Sequence, residues 1–333
     1  MVNLNSNYLG FQLKSPLVVA ASPLSHKVET IRALEDAGAG AVVMYSLFEE
    51  QIIHEGDVID NYINRTSELS SEAQSYFLPE SLKASGEDYL EQIQKLKKAV
   101  EMPVIASLNG ASTGGWINYA KKMEQAGADA LELNIYYVPT ETDLPGSELE
   151  DSYVDLVSDV RREIHIPLAV KLSPYFTSMP NITHRLVKAG ANGLVLFNRF
   201  YQPDLDVEAL EVVPHLVFST SEEMRLPMRW VAILRGNINA DIALTSGVRT
   251  STDMVKAIMA GANVVMLASE LLAKGPERAR EMLSEMEKWM EEYEYTSVQQ
   301  MTGCMSQKSV ANPAAYERAN YMKMLMSYNP KLI

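Results

Sequence analysis

Cysteine is almost absent from this sequence, which contains Cys304 and no other thiol. A single cysteine excludes an internal disulfide, a zinc site built from several thiolates and an iron–sulfur cluster held by this chain alone. Histidine is also scarce, and no two histidines have the spacing of metal ligands. They are His26, His54, His165, His184 and His215. We therefore expect no metal site and a reducing, cytoplasmic compartment.

Positive charge and long apolar runs are also in short supply. The 29 Lys and Arg residues face 43 Asp and Glu residues, so the formal net charge is −14. Such a balance lacks the basic surface that nucleic acid or anionic lipid requires. No stretch approaches the ~18 apolar residues of a membrane span, and the N-terminus has neither a basic start nor an apolar core. We predict a soluble protein with no nucleic-acid or membrane partner.

A short pattern, Ala-Gly-Ala-X, recurs four times along the chain. Each copy follows a segment with helical periodicity and precedes a short apolar run. A glycine that ends a helix directly before a strand is typical of the link between a helix and a parallel strand. The copies begin at Ala37, Ala126, Ala189 and Ala260, and the apolar runs are 41–44, 130–133, 193–196 and 264–267. The pattern predicts four helix–strand units of one kind.

Four further apolar runs complete a set of eight. They are residues 16–20, 103–106, 167–170 and 242–244, and the first three begin at a proline, which a strand tolerates as its first residue. Runs that are apolar on both faces and separated by amphipathic helices favour a parallel sheet. Eight such strands close most naturally into a single (β/α)8 barrel of the α/β class, for which ~250 residues plus loops is typical. A doubly wound open sheet uses the same local pattern and is the alternative.

The remaining segments can be assigned around this barrel. Helices are expected at about 27–37, 86–100, 116–125, 153–163, 179–189, 228–236, 250–260 and 276–293. Long loops are expected after the second and sixth strands, at about 46–85 and 198–227, and both emerge at the carboxyl-terminal face. Residues 1–293 are taken as the barrel and 294–333 as a C-terminal helical extension. Asn312 and Pro313 there predict the start of one last helix.

Polar residues at the carboxyl ends of the strands are the leading functional candidates, because barrel enzymes build their sites there. Among them, Lys171 ends an apolar strand, where an ammonium needs an anion nearby. Lys171 is interpreted as the charge partner of a cofactor or intermediate, with a lysine that merely reaches solvent as the alternative. Small residues after the seventh and eighth strands would let backbone N–H groups approach a phosphate.

Several motifs resemble the soluble class 1 enzymes of the dihydroorotate dehydrogenase family. The similar stretches are residues 15–22, 132–134, 170–176, 245–248 and 274–276, within a resemblance that runs from about residue 4 to residue 290. Members of that family are FMN-containing (β/α)8 barrels that oxidise dihydroorotate to orotate in pyrimidine biosynthesis. The stretch Val-Lys-Leu-Ser-Pro-Tyr-Phe is the most specific, because it aligns Lys171 with the family's flavin lysine.

The resemblance implies an FMN site, a substrate site and an oligomer. The cofactor-binding set comprises Ala20, Ala21, Tyr45, Asn109, Asn134, Lys171, Phe197, Thr245, Ser246, Gly247, Ala268 and Ser269. In it, Asn134 and Lys171 would contact the pyrimidine end of the flavin, and the last four residues would hold its phosphate. The substrate-binding set is Gln74, Ser75, Asn134 and Asn198. Relatives of this class are often homodimers, so we expect a homodimer, and a redox partner protein could supply an electron relay.

The departures from the family's motifs concern the substrate. Tyr137 stands where the family has its cysteine base, Pro139 replaces a substrate asparagine, and Met44 replaces a lysine. A tyrosine, with an ordinary pKa of about 10, is a poor base near neutral pH but a serviceable acid. We therefore predict Tyr137 and Lys171 as catalytic residues of an FMN oxidoreductase. It would transfer hydride between flavin and a CH–CH bond of a small cyclic substrate, which is dihydroorotate or a related compound.

Three other interpretations stay open at this point. Tyr136 and Tyr137 could simply fill the mouth of the pocket. A lyase or isomerase with the same barrel would bind a phosphorylated metabolite instead of flavin, although no general base opposite Lys171 is evident. A purely binding role is the third, because the family's catalytic cysteine is missing.

Overall fold

The eight predicted strands form one closed, all-parallel barrel. The computed structural model describes residues 2–48, 86–110, 116–199, 202–213, 215–317 and 320–326. Its strands are β1 (Ser6–Tyr8), β2 (Phe11–Leu13), β3 (Leu17–Val19), β4 (Ala41–Phe48), β5 (Val104–Gly110), β6 (Ala130–Ile135), β7 (Leu168–Leu172), β8 (Gly193–Leu196), β9 (Asp204–Asp206), β10 (Glu211–Val213), β11 (Asp241–Thr245) and β12 (Val264–Leu267). The barrel runs from β3 through β8 to β11 and β12, and β12 pairs with β3. The predicted (β/α)8 barrel is confirmed, and the open sheet is wrong.

Helices surround the barrel and share one apolar core with the outward faces of its strands. They are α1 (Val28–Asp36), α2 (Gly86–Ala99), α3 (Trp116–Gln125), α4 (Gly146–Glu163), α5 (Met179–Lys188), α6 (Arg225–Leu234), α7 (Ser251–Ala260), α8 (Ser269–Lys274), α9 (Glu277–Glu292), α10 (Val298–Met301) and α11 (Asn320–Met326). Helix α4 begins seven residues earlier than predicted, because its first two turns are polar and carry no apolar stripe.

The four Ala-Gly-Ala copies end helices as predicted. Their glycines, Gly38, Gly127, Gly190 and Gly261, all have φ between +101° and +130°, a conformation that glycine adopts without strain. The alanine after each glycine donates its N–H to a carbonyl of the last helical turn, as Ala39 does to Leu34 at 3.0 Å. This bond is the 6→1 bond of a Schellman cap. Each cap turns the chain directly into the next parallel strand.

A hairpin that the sequence analysis did not predict plugs the amino end of the barrel. Strands β1 and β2 pair with each other, and Tyr8, Leu9 and Leu13 are buried among the inward-facing residues of the barrel strands. The Leu9 N–H donates to Asp241 Oδ2, at the first residue of β11, at 2.7 Å. Because this end is filled by side chains, the carboxyl end is where a ligand can enter the barrel.

The segment before the hairpin is hydrogen-bonded to the segment that follows helix α9. The Asn3 N–H donates to the Thr296 carbonyl, and the Val298 N–H donates to the Asn3 carbonyl, both at 3.0 Å. The predicted last helix from Asn312 is wrong in its first part: Pro313–Tyr316 form a 3-10 turn, and helix α11 begins at Asn320. Asn312 makes no side-chain cap there, so the N-cap signal produced only a turn. Of the described helices, none is long and apolar enough to cross a membrane.

Candidate functional site

Polar side chains of three neighbouring strands form a row at the carboxyl end of the barrel. The strand register pairs Asn109 with Asn134 and Asn134 with Lys171. All three side chains are buried. Asn198, which follows β8, donates a hydrogen bond from Nδ2 to Asn134 Oδ1. The structure therefore brings together four of the residues that the sequence predicted to bind cofactor or substrate.

Lys171 has a partner that the sequence analysis did not predict. Its Nζ lies 3.5 Å from Oε1 of Glu132, whose residue is only 1% exposed. Neither carboxylate oxygen of Glu132 accepts a hydrogen bond from the described residues. Glu132 lies two residues before Asn134 on β6 and so shares its inward face. That spacing, in a strand otherwise apolar at 130, 131 and 133, was the signal that could have identified it.

Tyr45 is held in an aromatic stack beside the row. Its ring stacks on His26 with centroids 3.9 Å apart and meets the edge of Tyr89 at 4.9 Å. Tyr89 in turn accepts the Ser107 N–H at 2.8 Å. Burial, and then the charge of Asp88, raises the pKa of Tyr45 to about 12. Tyr45 therefore stays protonated near neutral pH and presents a neutral aromatic surface.

Tyr137 lies in the loop after β6 and is half-buried. Its hydroxyl donates a 2.9 Å hydrogen bond to Oε2 of Glu141. This bond is the main reason that the pKa of Tyr137 is raised above its ordinary value. The hydroxyl is thus a proton donor throughout the neutral range, as an acid requires, and cannot act there as a base.

The loops after β8, β11 and β12 come together on the other side of the barrel mouth. Ser246 and Gly247 both have positive φ, and Ser246 Oγ donates to the Phe197 carbonyl at 3.3 Å. Ser219 Oγ donates to Ser269 Oγ at 3.2 Å. These contacts join the predicted phosphate residues of two loops to the segment after β8. Thr245 and Ala268 lie at the carboxyl ends of β11 and β12 in the same region.

The helix after each of these two strands begins differently. Helix α7 is closed by a capping box, in which the side chains of Thr250 and Asp253 satisfy each other's backbone N–H groups. The short helix α8 has Ala268 as its N-cap residue and no side-chain cap. A short extra helix after the last strand is where barrel enzymes commonly bind phosphate. Of the two helices, α8 is the one whose first turn has no side-chain cap.

A buried carboxylate ties the two loops to the outer helices. Glu270 is 1% exposed, and its carboxylate lies 2.9 Å from Arg249 Nε, 2.9 Å from Arg278 Nε and 2.8 Å from Lys274 Nζ. Burial alone would raise the pKa of Glu270, but the ion pairs hold it below its ordinary value. Arg278 also pairs with Glu281 at 3.0 Å and with Glu285 at 3.5 Å, so the three cations of this cluster face three carboxylates and the cluster carries no excess of either charge.

Replacing Gly247 by alanine is expected to destabilise the protein by about 2 kcal/mol. The residue has φ +81°, and an added Cβ would lie 2.5 Å from Met224 N and 2.7 Å from the Thr220 carbonyl oxygen. Gly10→Ala is the matched control, because Gly10 has φ +83° and no described atom within 4 Å of its Cβ position. Urea unfolding should show the larger loss for Gly247→Ala, and equal losses would contradict the steric argument.

One end of the predicted cofactor site holds an unsatisfied polar group. Ser22, directly after Ala20 and Ala21 at the end of β3, has a buried hydroxyl that finds no hydrogen-bond partner among the described residues. The two alanines leave room beside it because they have no side chain beyond Cβ. A buried donor of this kind is costly unless a ligand or water satisfies it. Small residues, an orphaned hydroxyl and a buried ammonium are features that suit a flat polar ring such as a flavin.

Some predicted residues are not part of this arrangement. Gln74 and Ser75 lie outside the described residues. Cys304 lies in the C-terminal segment, 3.9 Å from the hydroxyl of Tyr295, and takes no part in the barrel mouth. Within the described part of the chain no cluster of side chains could hold a metal ion, which leaves the expectation of no metal untested.

A groove at the opposite, amino end is a structural feature. It is lined by Arg235, Asp241 and Asn263 among others. Asn263 Oδ1 accepts a hydrogen bond from Arg235 Nη1 at 3.1 Å, and Asn263 Nδ2 donates to Asp241 Oδ1 at 2.9 Å. Because these polar groups satisfy one another, they stabilise the barrel end, as is usual at this face.

The chain is a (β/α)8 barrel with polar side chains at its carboxyl face, the face where barrel enzymes build their sites. Comparison with known proteins assigns the family. The dihydroorotate dehydrogenase family profile matches residues 3–290, so the chain belongs to the dihydroorotate dehydrogenase family of oxidoreductases.

Individual relatives are distant but extend over most of the chain. The chain is 28% identical, over 91% of its length and 99% of the relative, to the "Dihydroorotate dehydrogenase B (NAD(+)), catalytic subunit" of Thermoplasma acidophilum. It is 24% identical to the protein of that name from Methanocaldococcus jannaschii, over 88% of this chain and 95% of the relative. A "Dihydroorotate dehydrogenase A (fumarate)" of Lactobacillus delbrueckii subsp. bulgaricus is 27% identical over 55% of this chain and 64% of the relative.

Proposed function

We propose that the chain is an FMN-dependent oxidoreductase that interconverts the CH–CH and C=C forms of a small cyclic substrate, either dihydroorotate or a close analogue. The observation that carries the proposal is the buried ammonium of Lys171 in register with Asn134, at the mouth of a barrel of this family. When bound, FMN would supply the hydride acceptor or donor.

The residues at the barrel mouth divide into two groups around such a ring. Ala20, Ala21 and Ser22 would line it, and Lys171 with Asn134 would face its pyrimidine end. The bond from Asn198 occupies the acceptor oxygen of Asn134, so the Asn134 amide N–H groups are the ones oriented to donate to a ligand carbonyl. Ser246, Gly247, Ala268 and Ser269 would hold the phosphate at the loop junction beside helix α8.

Tyr137 would supply the proton that the substrate carbon needs in the reductive direction. Its hydroxyl stays protonated near neutral pH, and its single proton, donated to Glu141 in the absence of substrate, would turn from Glu141 to the substrate carbon for transfer and leave a phenolate behind. A tyrosine in place of a cysteine supports a substrate that differs from dihydroorotate or a reaction that runs towards reduction. Gln74, Ser75 and Asn198 are the proposed substrate contacts.

Assembly is part of the same proposal. The names of two relatives describe catalytic subunits of an NAD(+)-linked enzyme, which supports a redox partner protein for this chain. We expect the chain itself to form a homodimer, which light scattering of the purified protein would test.

The absorption spectrum of the purified protein, and its change on titration with dihydroorotate, orotate or fumarate, test the proposal. Purified protein should be yellow, with flavin absorption near roughly 450 nm. Dihydroorotate should bleach that absorption if it is the substrate, and orotate or fumarate should restore it after chemical reduction. Gly247→Ala should bind FMN more weakly than the control Gly10→Ala. A colourless protein that takes up no added FMN would overturn the proposal.

A further inference from the structure

We infer that Glu132 is the counter-ion of Lys171 and, through Lys171, sets how strongly the site prefers reduced over oxidised FMN. Glu132 is thereby a positioning residue of the site, and this role rests on the proposed function. Nothing in the sequence motifs assigns Glu132 a role.

The carboxylate of Glu132 is isolated from hydrogen-bond donors. Glu132 is 1% exposed, and neither of its oxygens receives a hydrogen bond from the described residues. Its strand neighbours in register are Ser107, whose hydroxyl is 2.9 Å from that of Ser46, and Ala169, which has no polar group. Among the described residues, Lys171 is the one cation within ion-pairing distance. A buried carboxylate without hydrogen bonds needs such a partner to stay ionised.

The Glu132–Lys171 pair gains no further charge from the plug at the amino end of the barrel. The Tyr8 hydroxyl, from the plug, is buried and has no hydrogen-bond partner among the described residues. Burial and the charges of Glu132 and Asp241 raise the pKa of Tyr8, so this group adds no charge. The Glu132–Lys171 pair is therefore neutral as a whole. An uncompensated lysine would attract an anion more strongly than this pair does.

The effects of Glu132 and Lys171 on the preference for reduced FMN should be coupled. Reduced FMN can carry one more negative charge than oxidised FMN, so removing the negative charge of Glu132 should favour the reduced form. Lys171 is the one described cation that Glu132 contacts, so Glu132 acts on the flavin by offsetting the charge of Lys171. Without Lys171 there is no such charge for glutamine at position 132 to release. Glu132→Gln should therefore matter only when Lys171 is present.

Midpoint potentials of the FMN-loaded variants test this coupling. Glu132→Gln should raise the preference for reduced over oxidised FMN about tenfold, which is a positive shift of about 30 mV for a two-electron couple. Lys171→Met should lower the preference, and adding Glu132→Gln to Lys171→Met should change it less than about twofold. Glu132→Asp, which keeps the charge, should stay near the wild type. An unchanged potential in Glu132→Gln, or an equal shift in both backgrounds, would overturn the inference.

Unfolding of the ligand-free protein separates this inference from the proposed function. Glu132→Gln and Lys171→Met should each lower the melting temperature by roughly 5 °C, because each leaves a buried group without its partner. The loss of melting temperature in the double variant should be much smaller than the sum of the losses in the two single variants. Additive losses would overturn the counter-ion role even if FMN binds. A wild type that binds no FMN would instead overturn the proposed function and the redox part of the inference, while leaving this stability result measurable.

Discussion

The Tyr137→Phe variant is expected to keep its fold and its FMN while turnover falls about a hundredfold or more, the usual range for loss of a general acid. The change removes a single oxygen, at a hydroxyl whose bond to Glu141 is near the surface. Steady-state rates with whichever of dihydroorotate, orotate or fumarate the wild type turns over provide the measurement. Tyr136→Phe is the matched control and should retain most of the activity. An unaffected Tyr137→Phe would remove Tyr137 from the chemistry, and robust turnover of dihydroorotate to orotate by the wild type would overturn the altered-substrate hypothesis.

The pH profile adds an independent check on Tyr137. An acid must be protonated, so turnover should fall as the pH rises through the pKa of Tyr137. The hydrogen bond to Glu141 raises that pKa. Glu141→Gln removes the negative acceptor and should move the alkaline fall to lower pH. A profile that is identical in wild type and Glu141→Gln would argue against the proton donor role.

The Glu270→Gln variant is expected to lose roughly 3 kcal/mol of unfolding free energy. The substitution deprives Arg249 and the largely buried Arg278 of a carboxylate that is itself fully enclosed. Urea unfolding at neutral pH measures the loss. Glu281→Gln removes a carboxylate from the same Arg278, at 3.0 Å but in an exposed position, and should cost less than about 1 kcal/mol. Similar losses for the two variants would contradict the argument from burial.

The stability that Glu270 provides should also depend on pH in one direction. Its pKa is lowered in the folded state, so the contribution is present above its ordinary value of 4.5 and is lost as the pH falls through the lower, folded pKa. The difference between wild type and Glu270→Gln should therefore shrink in acid. Because the same carboxylate holds Arg249 beside the proposed phosphate loops, the proposed function predicts that FMN affinity falls along with stability.

The barrel was predictable because its signals are periodic. Four Schellman caps with glycine at the turning residue repeat at the sequence level, and eight short, mostly apolar runs between amphipathic helices favour strands buried on both faces. The N-terminal hairpin was missed because its residues 6–13 are too short and mixed to show a period. The last helix was misjudged because a good N-cap at Asn312 was not followed by an apolar stripe that packs.

The candidate site was predictable where a residue type sits at the end of a strand. Asn134 and Lys171 follow from that rule, and the structure indeed pairs them in register. Glu132 and Glu270 were missed because charged residues are expected at the surface. Their burial depends on ion pairs with cations of other strands and helices, which the sequence alone does not show. Tyr137 was identified by its position in a motif, whereas its bond to Glu141 depends on how the loop folds.

The closure between β3 and β12 has a consequence for how the chain reaches this structure. Val18 pairs with Met266, so β3, the first strand of the barrel, lacks its second neighbour until β12 is available. Asn3 likewise bonds to Thr296 and Val298. During synthesis one edge of β3 therefore stays unpaired and exposed until β12, about 250 residues later in the chain, has been made. Contacts of such long sequence separation slow folding. An N-terminal fragment of this protein would consequently be an open sheet with an unpaired edge strand that is prone to aggregate. The candidate site at the carboxyl end of the barrel would exist only once the barrel is closed.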